Sequence, residues 1–353
     1  MAPDLEQVKA NGLVYTNDSA PGIYRKGKIG HFSYQDEDGK TITNVAQLDR
    51  IKALVIPPAW QNVWIAAKPN AHLQVTGIDA AGRKQYKYHA NWTKRQSENK
   101  YSNLLRFGKA LPIARRQLAK DLRRKNFDET KVLAICIEVL QHSLIRVGNE
   151  SYKQLYGSFG LSTLRDKHVK IKGGKIKMTF VGKKGVKQDL ELTNLRLAKL
   201  VKKCRDIPGQ QLFQYYADGK EHRGIDSGKI NQYIKEITGD DFTAKDFRTW
   251  GGTLEALRQF AKCSQGEEIS TTTAKKQIVS VLDCVATKLG NTRAVCKSSY
   301  VYPLLITAFE ENNLDKYIKK LNKANAKNTF ALHEDEKVLL SFLKDANKLQ
   351  KKN

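Results

Sequence analysis

The chain has 353 residues, of which 40% are hydrophobic, and this is enough for two domains with cores of their own. Its formal net charge is +26, from 62 lysines and arginines against 36 acidic residues, and a chain with so much self-repulsion usually has a polyanionic partner. Nucleic acid is the first candidate, ahead of an anionic membrane surface or the ribosome, and no apolar run approaches the roughly 20 residues that span a bilayer.

The usual cofactor signatures are missing from the sequence. Gly39-Lys40-Thr41 ends like a phosphate-binding loop, but Tyr34 stands where that motif requires a glycine. The seven histidines form no i,i+4 pair and the five cysteines no Cys-x-x-Cys pair, so we expect neither a metal nor a nucleotide cofactor. Widely spaced cysteines and the lack of a signal-peptide pattern favour a cytoplasmic protein, associated with the nucleoid if its partner is DNA.

Residues 1–93 predict a small β-rich domain. Short alternating runs, separated by turn residues, predict strands over 22–28, 31–34, 60–65 and 82–88. In the last of these runs the alternation places Tyr86 and Tyr88 on one face.

Residues 94–353 predict a larger, mainly helical domain, entered through a polar linker at 91–99. Asp128 is an N-cap candidate for the next helix, which Gly148 is expected to end just after Arg146. A three-stranded meander is predicted over 169–192. Further helices are predicted over 194–204, 228–237, 250–263, 275–288 and 335–350. The fold class is therefore α+β, and the role of the tail after about residue 310 stays open.

The chain is poor in acidic clusters, so chemistry on a phosphodiester would use its own cations and donors rather than two bound metals. Such chemistry needs a nucleophile, charge neutralisation on two non-bridging oxygens, and a proton for the leaving oxygen. Tyrosine suits a reversible covalent state, guanidinium suits the oxygens, and lysine suits the proton transfer. Candidates are Arg146, Lys183 at a predicted hairpin tip, Arg248, and Tyr300 ahead of a helix that Pro303 can begin.

In this order, the motifs resemble those of the poxviral and bacterial-type IB DNA topoisomerases. They are Leu-Ile-Arg-Val-Gly-Asn-Glu around Arg146, Phe-Val-Gly-Lys ending at Lys183, Lys-x-x-Arg at Lys245 and Arg248, Gly-Asn-Thr around Asn291 with Tyr300 nine positions later, and the 82–88 strand. The resemblance covers residues 20–305, approximately. It implies a two-domain, monomeric clamp around duplex DNA that relaxes supercoils without ATP or metal.

The resemblance also implies roles for these residues. Tyr300 would attack phosphorus to give a 3′-phosphotyrosyl bond, while Arg146 and Arg248 hold the non-bridging oxygens. Lys183 would protonate the leaving 5′-oxygen. Asn291 would donate one more hydrogen bond, from the place where poxviral members have a histidine. An amide carries no charge, so transition-state stabilisation there is weaker, by roughly 1–2 kcal/mol.

The remaining site residues are DNA contacts. Arg83, Gln85, Tyr86 and Tyr88 lie on the strand that resembles the family's major-groove reader. Tyr152 is a phosphate contact by resemblance, and Lys245 is a proton relay or a DNA contact.

Three alternatives stay open. Tyr302 is a rival nucleophile two positions after Tyr300. A tyrosine recombinase uses a similar set of groups, but typically carries His-x-x-Arg where this chain has Lys245-x-x-Arg248, and has a helical rather than a β-rich amino-terminal domain. A non-catalytic nucleic-acid-binding protein would need only the charge, and it would form no covalent adduct.

Overall fold

A computed structural model describes residues 8, 12–80, 82–217, 221–263, 270–322 and 332–350, apart from the side chains of 94–102, 322 and 350. Backbone contacts divide the chain into two compact units, Met1–Tyr101 and Ser102–Asn353. The domain limits 1–93 and 94–353 stay a prediction.

The first unit contains a five-stranded antiparallel sheet. Its strands are β1 (Gly22–Lys28), β2 (His31–Gln35), β3 (Gln61–Ala66), β4 (Leu73–Ile78) and β5 (Lys84–Tyr88), in the order β2-β1-β3-β4-β5. Helix α1 (Val45–Ala53) contributes Ile51 to a core with Ile23, Ile65 and Val75. The four predicted strands are confirmed. Strand β4 was not predicted, because nearly all of its residues are buried and no alternation in the sequence marks it.

Strand β5 is the last strand in the order of this sheet, next to β4, and so forms one of its edges. Tyr86 and Tyr88 are 50% and 45% exposed, and their rings stack with centroids 6.4 Å apart. The prediction that the two tyrosines share a face is confirmed.

Helix α2 (Ala90–Asp121) begins in the first unit and ends in the second. The predicted linker at 91–99 is therefore wrong, because these residues have a helical backbone. The segment is polar but contains no glycine or proline, and its lysine, arginine, glutamine and glutamate have good helix propensity.

The second unit is mainly helical, as predicted. Its helices are α3 (Glu129–Ser143), α4 (Glu150–Tyr156), α5 (Leu195–Arg205), α6 (Ser227–Thr238), α7 (Ala244–Cys263), α8 (Thr271–Leu289), α9 (Arg293–Ser299), α10 (Pro303–Glu310), α11 (Asp315–Asn322) and α12 (Glu334–Gln350). The predicted meander is β6 (Val169–Lys172), β7 (Lys175–Val181) and β8 (Lys187–Thr193), and β9 (Gln214–Ala217) pairs with β10 (Glu221–Gly224).

Helix α3 leads to the first arginine of interest. Asp128 caps it as predicted, since its Oδ1 accepts a hydrogen bond from Lys131 N at 3.0 Å. The helix ends at Ser143 and not at Gly148, because Leu144 takes the left-handed conformation with φ 55° and donates its N–H to Leu140. Arg146 therefore lies in a non-helical segment beyond the helix.

The tail packs on the helices of the second unit. Glu336, at the start of α12, is buried and accepts two hydrogen bonds from Arg115 at 2.7 and 2.8 Å and one from Trp250 Nε1 at 3.2 Å. Arg258 on α7 hydrogen-bonds to Asp335 through Nε at 2.7 Å. The charge of Arg115 helps to hold the pKa of Glu336 below its ordinary value despite burial, which acts to raise it. The tail thus anchors α7.

Within the ranges that the structure describes, no helix is both long and apolar enough to cross a membrane.

Candidate active site

Four of the predicted side chains, from separate segments of the second unit, meet at one place. Arg146 donates a hydrogen bond from Nη1 to the carbonyl oxygen of Gly290 at 3.1 Å and another from Nη2 to Oδ1 of Asn291. Burial lowers the pKa of the Arg146 guanidinium, and the nearby charge of Arg248 adds to this effect. Two cations share a partly desolvated space, which favours a bound anion.

Arg248 lies below the surface on α7, with 3% of its area exposed. Its Nη1 donates to the carbonyl oxygen of Leu144, and its Nη2 donates to that of Leu289 at 3.0 Å. The left-handed turn after α3 and the end of α8 therefore both fix this guanidinium. Its Cζ atom lies 4.9 Å from the ring centroid of Tyr300.

Tyr300 follows directly on α9, and its N–H donates to Cys296 O at 2.9 Å. Its carbonyl oxygen accepts a hydrogen bond from Thr253 Oγ1 at 3.2 Å, and a Cβ on Gly252 would fall 2.8 Å from that same oxygen. The backbone of Tyr300 therefore lies directly against α7, with a glycine at the closest approach.

The hydroxyl of Tyr300 is tuned by its surroundings. Burial acts to raise its pKa, but the positive charges of Arg248, Arg146 and Lys245 outweigh burial and hold the pKa below its ordinary value. A phenol in this environment loses its proton more readily than a free tyrosine, as a nucleophile should.

The rival Tyr302 has a different environment. It is 4% exposed, its ring packs edge-on against Phe342 of α12 at 6.2 Å, and burial raises its pKa to about 12. The thiol of Cys296, also next to the arginines, is buried with its pKa raised to about 11. Both groups hold their protons more firmly than Tyr300.

Two buried donors at this place lack an acceptor. Within the described residues, Nε of Arg248 and Nδ2 of Asn291 are buried and meet no oxygen or nitrogen acceptor of the protein, although the Asn291 amide lies close enough to the Cys296 thiol to favour its ionised form. Buried polar atoms normally have partners, and leaving one unpaired costs about 1–3 kcal/mol. These two unpaired donors, the charges of the two arginines and the lowered pKa of Tyr300 together suit the binding of an oxyanion such as a phosphodiester.

Lys183 lies at the tip of the hairpin between β7 and β8, as predicted. Its Nζ lies 5.4 Å from the ring centroid of Tyr152, which is partly exposed on α4. In the described part of the chain, Lys183 hydrogen-bonds neither to Tyr300 nor to the three side chains around it.

Lys245 is exposed in the first turn of α7, one helical turn before Arg248.

One residue that was not predicted from the sequence, Asp79, contacts the strand β5 residues. Its carboxylate accepts hydrogen bonds from Arg83 Nε at 2.7 Å and Gln85 Nε2 at 2.9 Å, and it forms an ion pair with Arg83 Nη2 at 2.6 Å. Its Oδ1 also accepts Arg83 N at 3.0 Å, closing the turn before β5. The available signal was the pair Asp79 and Gly82, which suit the first and fourth positions of a β-turn.

Comparisons with known proteins cover both units. Residues 89–332 match the family described as eukaryotic DNA topoisomerase I, catalytic core, and residues 31–79 match the bacterial DNA topoisomerase IB, N-terminal domain. DNA topoisomerase 1B of Acanthamoeba polyphaga mimivirus is 32% identical over 306 residues, which are 85% of this chain and 91% of the relative. DNA topoisomerase 1B of vaccinia virus strain Copenhagen and DNA topoisomerase I of monkeypox virus are each 22% identical over 304 residues, 84% of this chain and 92% of each relative.

Proposed function

The chain belongs to the type IB DNA topoisomerases, and we propose that it relaxes supercoiled duplex DNA through a transient 3′-phosphotyrosyl bond to Tyr300. The observation that carries this mechanism is the pair of unpaired buried donors, Arg248 Nε and Asn291 Nδ2, beside a tyrosine whose pKa is held down. A phosphodiester placed there would satisfy both donors.

The roles follow from the chemistry of the site. Tyr300 loses its phenolic proton to solvent, its oxygen forms a bond to phosphorus, and the bond from phosphorus to the 5′-oxygen breaks. Arg146, Arg248 and Asn291 stabilise the negative charge that develops on the non-bridging oxygens. Lys183 gives a proton to the departing 5′-oxygen. The free end rotates, and the 5′-hydroxyl then reverses the step.

Neither ATP nor a metal is part of this proposal. The phosphotyrosyl bond replaces one phosphoester with another, so resealing needs no external energy source. One chain supplies all five groups, which supports action as a monomer.

The proposal is tested by two measurements on the full chain. Supercoiled plasmid without recombination sites should relax in buffer that contains a chelator and no ATP, and detergent should trap protein covalently on DNA. A recombinase would exchange strands between defined sites, and a non-catalytic binder would give neither relaxation nor adduct. Absence of both products would overturn the proposed function.

The pH dependence of cleavage should report the charge around Tyr300. The charge of Lys245 contributes to lowering the pKa of Tyr300, so Lys245→Gln should raise that pKa. The acid limb of the cleavage rate should then move to higher pH, and the rate near neutrality should fall. Single-turnover cleavage at saturating DNA, measured between pH 6 and 10, checks this.

Lys262→Gln is the matched control, because it removes the same charge from an exposed position in the last turn of the same helix. It should leave the profile in place. Equal profiles for Lys245→Gln and the parent protein would contradict the electrostatic coupling.

The contacts of β5 give a second prediction, because we propose Arg83, Gln85, Tyr86 and Tyr88 as DNA contacts, with Tyr152 contacting a phosphate. Asp79 fixes Arg83 and Gln85 but also places a negative charge at this face. Asp79→Asn keeps an oxygen for the turn and removes the charge. We expect tighter DNA binding at low salt, because a repulsive charge is removed. We also expect a more even choice of cleavage sites, with a loss of up to about 1–3 kcal/mol in the discrimination between bases.

Both effects can be read from equilibrium binding and from the distribution of cleavages along one labelled fragment. Asp49→Asn, an exposed carboxylate of the same unit, is the control and should change neither. Weaker binding with an unchanged cleavage pattern would count against the role of Asp79.

A further inference from the structure

Gln188 occupies an unusual position on strand β8. It pairs with Phe180 across the hairpin and faces the buried side of the meander, where β7 places Met178 and Phe180 and β8 places Leu192. Only 8% of Gln188 is exposed, and its amide makes a long hydrogen bond within the described residues, from Nε2 to Val186 O at 3.5 Å. Burying an amide among apolar side chains with so little hydrogen bonding costs free energy, so its presence at this position needs a physical explanation.

The side chain of Gln188 fills the space between two glycines. A Cβ on Gly290 would overlap the amide, falling 2.7 Å from Cδ, and a Cβ on Gly182 would fall 3.1 Å from Cγ. Gly182 immediately precedes Lys183, and Gly290 immediately precedes Asn291. The carbonyl of Gly290 is also the acceptor for Arg146 Nη1.

We propose that Gln188 is a positioning residue, which holds the hairpin tip that carries Lys183 in register with Arg146 and Asn291. The tip is otherwise tied to its own strands, by Gly182 N to Val186 O at 2.8 Å, and to the preceding loop by Phe159 N to Val181 O at 2.7 Å. The contact of Gln188 with Gly290 links the hairpin to the loop of Asn291. Gly290 must stay a glycine for this contact, and its φ of 57° favours glycine as well.

This inference rests on the proposed function, in which Lys183 is the proton donor. During cleavage the bond from phosphorus to the 5′-oxygen breaks, its electron pair stays on that oxygen, and a proton comes from Lys183 Nζ. A sulfur atom in place of the 5′-oxygen leaves as a thiolate and needs no such proton, because a thiol is far more acidic than an alcohol. A misplaced Lys183 should therefore slow cleavage of the oxygen substrate and not of the sulfur substrate.

The experiment compares single-turnover cleavage of a normal duplex and of one with a 5′-bridging sulfur at the cut site. Gln188→Ala should cleave the oxygen substrate about 10–100-fold more slowly, since a displacement near 1 Å costs about that much. It should cleave the sulfur substrate within about threefold of the parent rate. Gln188→Met, an unbranched side chain of similar length, should refill the space and restore most of the loss.

Two further variants make the outcome decisive. Lys183→Ala should show the same rescue by sulfur, and Glu191→Gln, an exposed residue on the same strand, should be normal on both substrates. Suppose that the sulfur substrate rescues Lys183→Ala. This inference alone would then be overturned if sulfur did not rescue Gln188→Ala, or if Gln188→Ala cleaved the oxygen substrate at the parent rate. It would also be overturned if Gln188→Met were as slow as Gln188→Ala. A Lys183→Ala that sulfur does not rescue would overturn the role of Lys183 in the proposed function, and the inference with it.

Discussion

Replacing Tyr300 by phenylalanine is expected to abolish both plasmid relaxation and the detergent-trapped DNA adduct. The variant keeps the ring that packs near Arg248 and loses only the oxygen that would bond to phosphorus. Loss of the nucleophile should lower the cleavage rate by more than about 10⁴-fold, while DNA binding, which depends on the other contacts, stays close to the parent value. The readouts are denaturing gels of labelled DNA and a binding isotherm.

Tyr302→Phe is the matched control, because it makes the same chemical change two residues away. Tyr302 is buried against Phe342, and its pKa is raised rather than lowered, so its loss should leave the adduct in place. A covalent adduct that persists in Tyr300→Phe and disappears in Tyr302→Phe would reverse the assignment of the nucleophile.

Short motifs pointed to four of the residues that meet in the second unit, and to Lys183, which lies at the hairpin tip without a hydrogen bond to them. Arg146, Arg248, Asn291 and Tyr300 each belong to a segment that is ordinary alone, and the fold brings all four together. The strands with alternating exposure were also predictable, because burial on one face leaves a period of two in the sequence. The buried strand β4 has no such period and was missed.

Contacts made by single side chains could not be predicted in this way. Asp79 and Gln188 lie in no motif, and their importance comes from what lies across from them in space: the guanidinium of Arg83 in one case and the backbone of Gly290 in the other. The linker prediction for 91–99 is wrong because polar composition alone does not break a helix; only glycine and proline strongly oppose one. The contact between α12 and α2 includes the ion pair of Glu336 with Arg115, two residues that are far apart in the sequence.

The second large effect is expected from Arg248→Lys. A lysine carries the same charge, but its single ammonium group cannot bond to Leu144 and Leu289 and also present a donor where Nε of Arg248 lies unpaired. We expect the single-turnover cleavage rate to fall about 10²–10³-fold, as for loss of one donor to a developing oxyanion, with little change in DNA affinity.

Arg258→Lys is the control for this change, since it makes the same substitution on the same helix. Arg258 pairs with Asp335 and Glu255, away from Tyr300, and its replacement should cost little in rate. A thermal unfolding curve for each variant separates loss of the donor from loss of the fold. If Arg248→Lys unfolds like the parent protein and cleaves at the parent rate, then charge alone serves at this position, and the unpaired Nε has no part in catalysis. If instead the rate falls and the fold is kept, the geometry of the guanidinium, and not merely its charge, stabilises the transition state.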